Sequence, residues 1–101
     1  MPTVTLSGKQ NRFLRGLGHH LNPVVLIGKD AVSQGVIDSV EEVLDQHELI
    51  KVKLLEGCLV DRKNVAEQLS TTTDSSVVQI LGRTILLFRP TPEGKIELPK
   101  K

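Results

Sequence analysis

Aromatic side chains are nearly absent from this sequence. Phe13 and Phe88 are the only two, with no Trp and no Tyr. Modules that stack nucleic-acid bases on an exposed aromatic platform, such as RRM and OB-fold domains, need more than that, so both are excluded. Cysteine is limited to Cys58, which rules out an internal disulfide and leaves a small, partly buried thiol as the expectation. No apolar run approaches the length needed to cross a bilayer, and the N-terminal segment has no signal-peptide apolar core. The expectation is a soluble, cytoplasmic protein with no membrane contact.

The chemistry of catalysis is missing too. The histidines are His19, His20 and His47. Neighbours in sequence point about 100° apart on a helix, so His19 and His20 cannot serve one metal from one face. There is no H-x-x-x-H, no C-x-x-C and no paired His/carboxylate spacing. Catalytic residues, a metal, a cofactor and a small-molecule substrate are therefore not expected.

What the chain has is apolar periodicity and segregated charge. At 101 residues and 39% hydrophobic it supports one domain, spanning 1–101, with a Leu, Val and Ile core. The formal charge of +1 hides strong blocks. Residues 1–29 carry Lys9, Arg12, Arg15 and Lys29 and no acid; residues 30–50 carry six acids and no base. Residues 51–75 cancel, four against four, and residues 76–101 hold Arg83, Arg89, Lys95, Lys100 and Lys101 against Glu93 and Glu97. If the fold separates these blocks, a nearly neutral protein presents one basic face.

Ser7-Gly8-Lys9-Gln10 has the form of a capping box and opens a helix over about 7–18. Gln10, Phe13, Leu14, Leu17 and Leu21 fall on one arc; Arg12, Arg15 and His19 lie opposite, with Lys9 at the border. Asn22-Pro23 stops the helix. The apolar run Val24 to Ile27 predicts a strand buried on both faces. Gly28 to Val32 form a corner, and Ser33 caps a second helix, about 33–47, with Val36, Ile37, Val40, Val43, Leu44 and His47 inward and Asp38, Glu41, Glu42, Asp45 and Glu48 on a solvated acidic face. Leu49 to Leu55 alternates, with Ile50, Val52 and Leu54 on one side and Lys51 and Lys53 on the other beside Leu49. Asp61 caps a third helix, about 61–73; strands over 77–81 and 84–89 follow, joined by Gly82-Arg83 as a two-residue type II′ turn. Pro90, Pro92 and Pro99 make a mobile tail from about residue 90. The order α-β-α-β-α-β-β predicts an α/β fold with one mixed four-stranded sheet.

The lack of interleaved acid on the first helix points to phosphate contact, since a merely soluble helix face mixes signs. Lys29 at the glycine corner and Arg83 and Arg89 on the last hairpin could join it. Together they would neutralise about four to six phosphates, each adding about −0.7 to −0.9 to the slope of log K against log salt. The other reading is a protein-interaction module in which the acidic second helix docks a basic partner protein.

The stretches LRGLGHHLNPVVLIGKDAVSQGVIDSVEEVLDQHELIKVKL, VVQILGRTILLFRP and IELPK resemble the bacterial YhbY proteins, which are stand-alone CRM domains. The resemblance runs from about residue 6 to 100. It implies a fold like the C-terminal domain of translation initiation factor three. It also implies binding of structured, ribosomal RNA and association with large-subunit precursor particles, assisting ribosome assembly without a cofactor. The family's G-x-x-G loop, likened to the backbone clamp of KH domains, maps onto Gly28-Lys29-Asp30-Ala31, with Ala31 in place of the second glycine. The expected RNA-binding residues are Lys9, Arg12, Arg15, Gly28, Lys29, Lys51, Lys53, Arg83 and Arg89.

Overall fold

A computed structural model describes residues 6–100. Lys101, counted above with the basic tail, and residues 1–5 lie outside the described residues. The elements are α1 (Gly8–Gly18), β1 (Val25–Ile27), α2 (Gln34–His47), β2 (Leu49–Leu54), α3 (Arg62–Thr73), β3 (Ser76–Leu81) and β4 (Thr84–Phe88). They form one mixed sheet in the order β1-β2-β4-β3, with β1 parallel to β2 and the other pairs antiparallel. This is the predicted α/β order.

The caps form where side-chain chemistry places them. The Gln10 backbone N–H donates to Ser7 Oγ at 3.1 Å, and the Ser7 N–H donates to Gln10 Oε1 at 3.1 Å, which satisfies two end groups of α1 reciprocally. Ser33 accepts from the Val36 N–H at 3.2 Å, and Asp61 from the Lys63 N–H at 3.2 Å. At its far end α3 is closed by buried Thr73, whose hydroxyl bonds Leu69 O at 2.6 Å, and by Asp74 in a left-handed conformation. Leu81 pairs with Thr84 across the hairpin, so its loop is Gly82-Arg83; Gly82 has φ +59° and Arg83 does not share the positive sign, as a type II′ turn requires.

Strand alternation divides the sheet into two faces. Val25, Ile27, Ile50, Val52, Leu54, Ile85 and Leu87 point to one side and pack with Val40 and Leu44 of α2 and Val65, Ala66 and Leu69 of α3. Leu49, Val78, Leu86 and Phe88 point to the other side, under Leu14 of α1, with Ile96 and Leu98 of the C-terminal segment against them. Only part of this second face is covered. Leu26 is 57% exposed and Leu81 is 64% exposed, and both belong to it by register. Strand β1 is therefore buried on one face only, contrary to the reading of Val24 to Ile27 as doubly buried. It is an edge strand, and α1 lies over β4 rather than over β1.

Among the described residues the C-terminal segment has no helix or strand, as its prolines dictate, but it does not hang free as the mobile tail expected from sequence. Glu48, at the end of α2, is fully buried, and its backbone takes a left-handed φ of +64°. Its carboxylate accepts from the Thr91 hydroxyl and from the backbone N–H groups of Thr91 at 3.2 Å, Lys95 at 2.9 Å and Ile96 at 3.0 Å. Gln10 Nε2 adds a bond to Pro99 O at 2.9 Å. Burial pushes the Glu48 carboxyl up, but the hydrogen bonds, led by that of the Thr91 hydroxyl, outweigh it and hold the group below its ordinary value. One residue of the supposed solvated acidic face is thus the anchor of the tail.

Candidate nucleic-acid interface

Helix α1 carries the longest acid-free run of cations, and its packing sets where they point. Gln10, Leu14 and Gly18 are its buried stripe. Asn11 lies by Ser76, Leu14 by Phe88 and Leu86, and a Cβ on Gly18 would stand 2.5 Å from Leu86 Cδ2. Helix α1 therefore crosses this face from β3 at the Phe88 end, over Leu86 of β4, to the start of β2. Lys9, Arg12 and Arg15 are exposed on the outer side. Phe13 and Leu17, 39% and 40% exposed, form the flank toward β2 and β1, where Leu17, Leu21, Val24, Leu49 and Ile96 line an apolar cleft of about 430 Å³.

The hairpin end of the sheet collects the loops. The Leu55 N–H donates to Ile27 O at 2.8 Å, and the Leu54 N–H donates to Arg83 O at 2.8 Å. These bonds place the Gly28–Ala31 corner beside the hairpin tip, with exposed Lys29 and Arg83 at the same end. Lys53 is exposed on the α1 side of β2 and is paired with Thr84 one residue from Arg83; Lys51, two residues back, is half-buried at the rim of the cleft. The end of α1 over Leu86 is three residues from Arg83, about 10 Å along the strand.

The corner itself keeps a glycine-like backbone without the glycine. The Ala31 N–H donates to Gly28 O at 3.0 Å, closing a turn, and Ala31 has φ +49°. The methyl group does not prevent the left-handed conformation; it only makes it costlier, by roughly 1 kcal/mol. Gly28 has an ordinary negative φ, and a Cβ there would meet nothing within 4 Å. Its bare backbone faces open space, where a ligand can approach.

Eight of the nine sequence-expected residues thus fall on α1, on the open part of the second face or at the loop end. Arg89 does not join them. Its side chain is 16% exposed and points to α2: Nη1 donates to Glu41 Oε2 at 3.0 Å and to Thr73 O at 2.6 Å, and Nη2 donates to Asp45 Oδ1 at 2.8 Å and to Glu41 O at 3.2 Å. With its donors so committed, Arg89 fastens β4 to the ends of α2 and α3. Its place among the phosphate-binding residues is corrected accordingly. By contrast, no ion pair involves Lys9, Arg12, Arg15, Lys29, Lys51, Lys53 or Arg83 among the described residues. Sequence reasoning missed Arg62, whose Nη1 donates to Gly82 O at 2.7 Å at this same end. The available signal was its place just after the Asp61 cap, which turns α3 back from the loop end.

Among the described residues there is no group of three His, Cys, Asp or Glu side chains able to hold a metal, and no helix long and apolar enough to cross a membrane. Cys58 is half-buried, its thiol 3.8 Å from Val60 O.

Comparison with known proteins agrees with this geometry. Residues 6–89 match the CRS1 / YhbY (CRM) domain family. A Haemophilus influenzae protein named "RNA-binding protein" is 42% identical over 98 residues, covering 97% of this chain and 99% of its own. The Bacillus subtilis "Probable RNA-binding protein YqeI" is 45% identical over 95 residues, covering 93% and 99%. A solution structure of a Staphylococcus aureus protein, described as a candidate RNA binding protein, superposes with a TM-score of 0.81 at 42% identity, covering 94% of this chain and all of that one.

Proposed function

This chain belongs to the CRS1 / YhbY (CRM) domain family, and from that premise we propose that it binds structured RNA and assists assembly of the large ribosomal subunit in the cytoplasm. The observation that carries the RNA reading is the acid-free stripe of Lys9, Arg12 and Arg15, exposed and without ion-pair partners among the described residues, on a helix that crosses the sheet face whose hairpin end bears exposed Lys29 and Arg83. Such a run of mobile cations gains affinity by releasing counterions from phosphates. Relatives named for RNA binding support it. With Phe88 buried and Phe13 on the cleft flank of α1, recognition rests on phosphates and RNA shape rather than on stacking. The ribosomal assignment is supported by the resemblance of the quoted segments to the bacterial stand-alone CRM proteins. No group of the site has the arrangement of a nucleophile and base, and the protein acts as a binding module rather than an enzyme.

The rival reading, a basic protein docked on acidic α2, loses ground in this fold. Glu41 and Asp45 already bind Arg89, and Glu48 is buried.

Two measurements test the proposal. Arg12→Glu with Arg15→Glu should abolish binding of structured ribosomal RNA at moderate salt; wild-type affinity in that variant refutes the α1 surface. Cross-linking in cells should enrich large-subunit precursor RNA, and a random distribution of cross-links refutes the ribosomal assignment.

A further inference from the structure

The segment 51–75 looks electrically neutral in sequence, with four bases against four acids. The fold undoes that cancellation. Helix α3 starts at the loop end, where Arg62 reaches Gly82 O, and finishes at the opposite end, where Asp74 precedes β3. Its acids Glu67 and Asp74 are thereby carried away, while Lys53, Arg62 and Lys63 stay beside Lys29 and Arg83. Three acids remain at this end: Asp30, Glu56 and Asp61. Asp61 is occupied by the Lys63 N–H at the helix cap. Glu56 sits in the turn whose Gly57 abuts Lys29, a Cβ on Gly57 standing 3.8 Å from Lys29 N.

Arg62 is exposed and uses one of its five N–H donors on Gly82 O, the first residue of the turn that carries Arg83. Its other donors have no protein partner among the described residues. A guanidinium in that position can fix the turn with one edge and offer the other edge to an anion in a rigid planar fork, a geometry a lysine ammonium lacks. We infer that the RNA surface continues from α1 onto this end of the sheet, where Arg62 and Lys63 contact phosphate and Arg62 also holds the Arg83 turn. The inference rests on the RNA-binding reading and extends it to residues from a segment with no charge signal. The acids have a role in it: Glu56, exposed in the turn beside Lys29, weakens phosphate contact there without abolishing it, so Arg62 and Arg83 carry more of the contact at this end.

Fluorescence anisotropy of a fluorescein-labelled RNA stem-loop, titrated between about 50 and 200 mM salt, tests it. Arg62→Gln with Lys63→Gln should reduce the magnitude of the log K against log salt slope by about 1.4 to 1.8, and affinity near 0.1 M salt by about 25- to 60-fold. Arg62→Lys should keep the slope and still weaken binding, because charge is retained and the shared edge is lost. Glu56→Gln should strengthen binding. Both substituted sites are exposed, and circular dichroism melts should show folded variants. An unchanged slope in the double variant overturns the inference, as does weaker binding by Glu56→Gln. Loss of binding in the α1 variant alone, with the α3 variant at wild-type affinity, leaves the α1 surface standing and removes this extension. A wild-type protein that fails to bind the probe at low salt overturns both.

Discussion

Replacing Glu48 should release the C-terminal segment and destabilise the whole domain. The carboxylate accepts four hydrogen bonds, from the Thr91 hydroxyl and three backbone N–H groups, and is fully buried. Bonds to a charged acceptor contribute about 1.5–3 kcal/mol each when measured singly. Their sum overstates the effect, because the tail can peel away and return its N–H groups to water. The loss is then limited to the docking free energy of the segment, including the packing of Ile96 and Leu98 on Phe88 and its neighbours. Glu48→Ala should cost about 2–4 kcal/mol. Glu48→Gln should cost less, about 1–2 kcal/mol, since its amide oxygen can keep the three donors that meet Oε2 while its NH2 faces the Ile96 N–H. Glu48→Gly loses the same bonds as alanine but relieves the +64° φ, so it should be less destabilised than Glu48→Ala by about 1 kcal/mol. The carboxyl's acidity is strengthened in the fold, so its contribution is present above the unfolded-state value near 4.5 and is lost as pH falls through the lower folded value. Wild type should therefore lose, on acidification from neutral pH, a stabilisation that Glu48→Ala never had, and the gap between the two should narrow. Chemical denaturation from neutral to acid pH measures the gap, and amide exchange of Lys95 and Ile96 reports the tail directly. Unchanged protection of those amides in Glu48→Ala, with a loss below about 1 kcal/mol, would refute the anchor.

Three further outcomes follow from single contacts. Ala31→Gly should stabilise the domain by about 1 kcal/mol in urea denaturation by relieving the +49° φ, and a destabilisation would show the methyl group to be packed. Arg89→Gln should cost about 1–2 kcal/mol, mostly through the unpaired Thr73 carbonyl since the acid partners are partly exposed, yet leave the RNA salt slope unchanged; a smaller slope would return Arg89 to the interface. Gly18→Ala, though favourable to a helix, should lower stability by about 1–3 kcal/mol because the new Cβ would lie 2.5 Å and 2.7 Å from the two methyl groups of buried Leu86; Leu86→Val in the same chain should recover part of the loss in a thermal melt.

The local order of this fold is written in local signals. A capping box, side-chain N-caps, helical arcs and the Ile50-Val52-Leu54 alternation each act within a few residues, so periodicity and cap chemistry locate the three helices and four strands of the described residues and the type of the last turn. The acid-free stripe of α1 is legible for the same reason: three cations at helical spacing share a face whatever surrounds the helix. Partners distant in sequence are not legible. Nothing in residues 24–27 tells whether α1 will cover β1, and α1 packs instead over β4, where Gly18 allows close approach to Leu86. Arg89 and Lys29 are both single cations in sequence; only the fold brings Arg89 to Glu41 and Asp45 and leaves Lys29 exposed. Glu48 reads as one more acid on α2 until the chain end, more than forty residues on, returns to fill its carboxylate. Helix periodicity and charge sign are properties of the chain, whereas the burial and pairing of each charge depend on which distant backbone donors the packed sheet brings within about 3 Å.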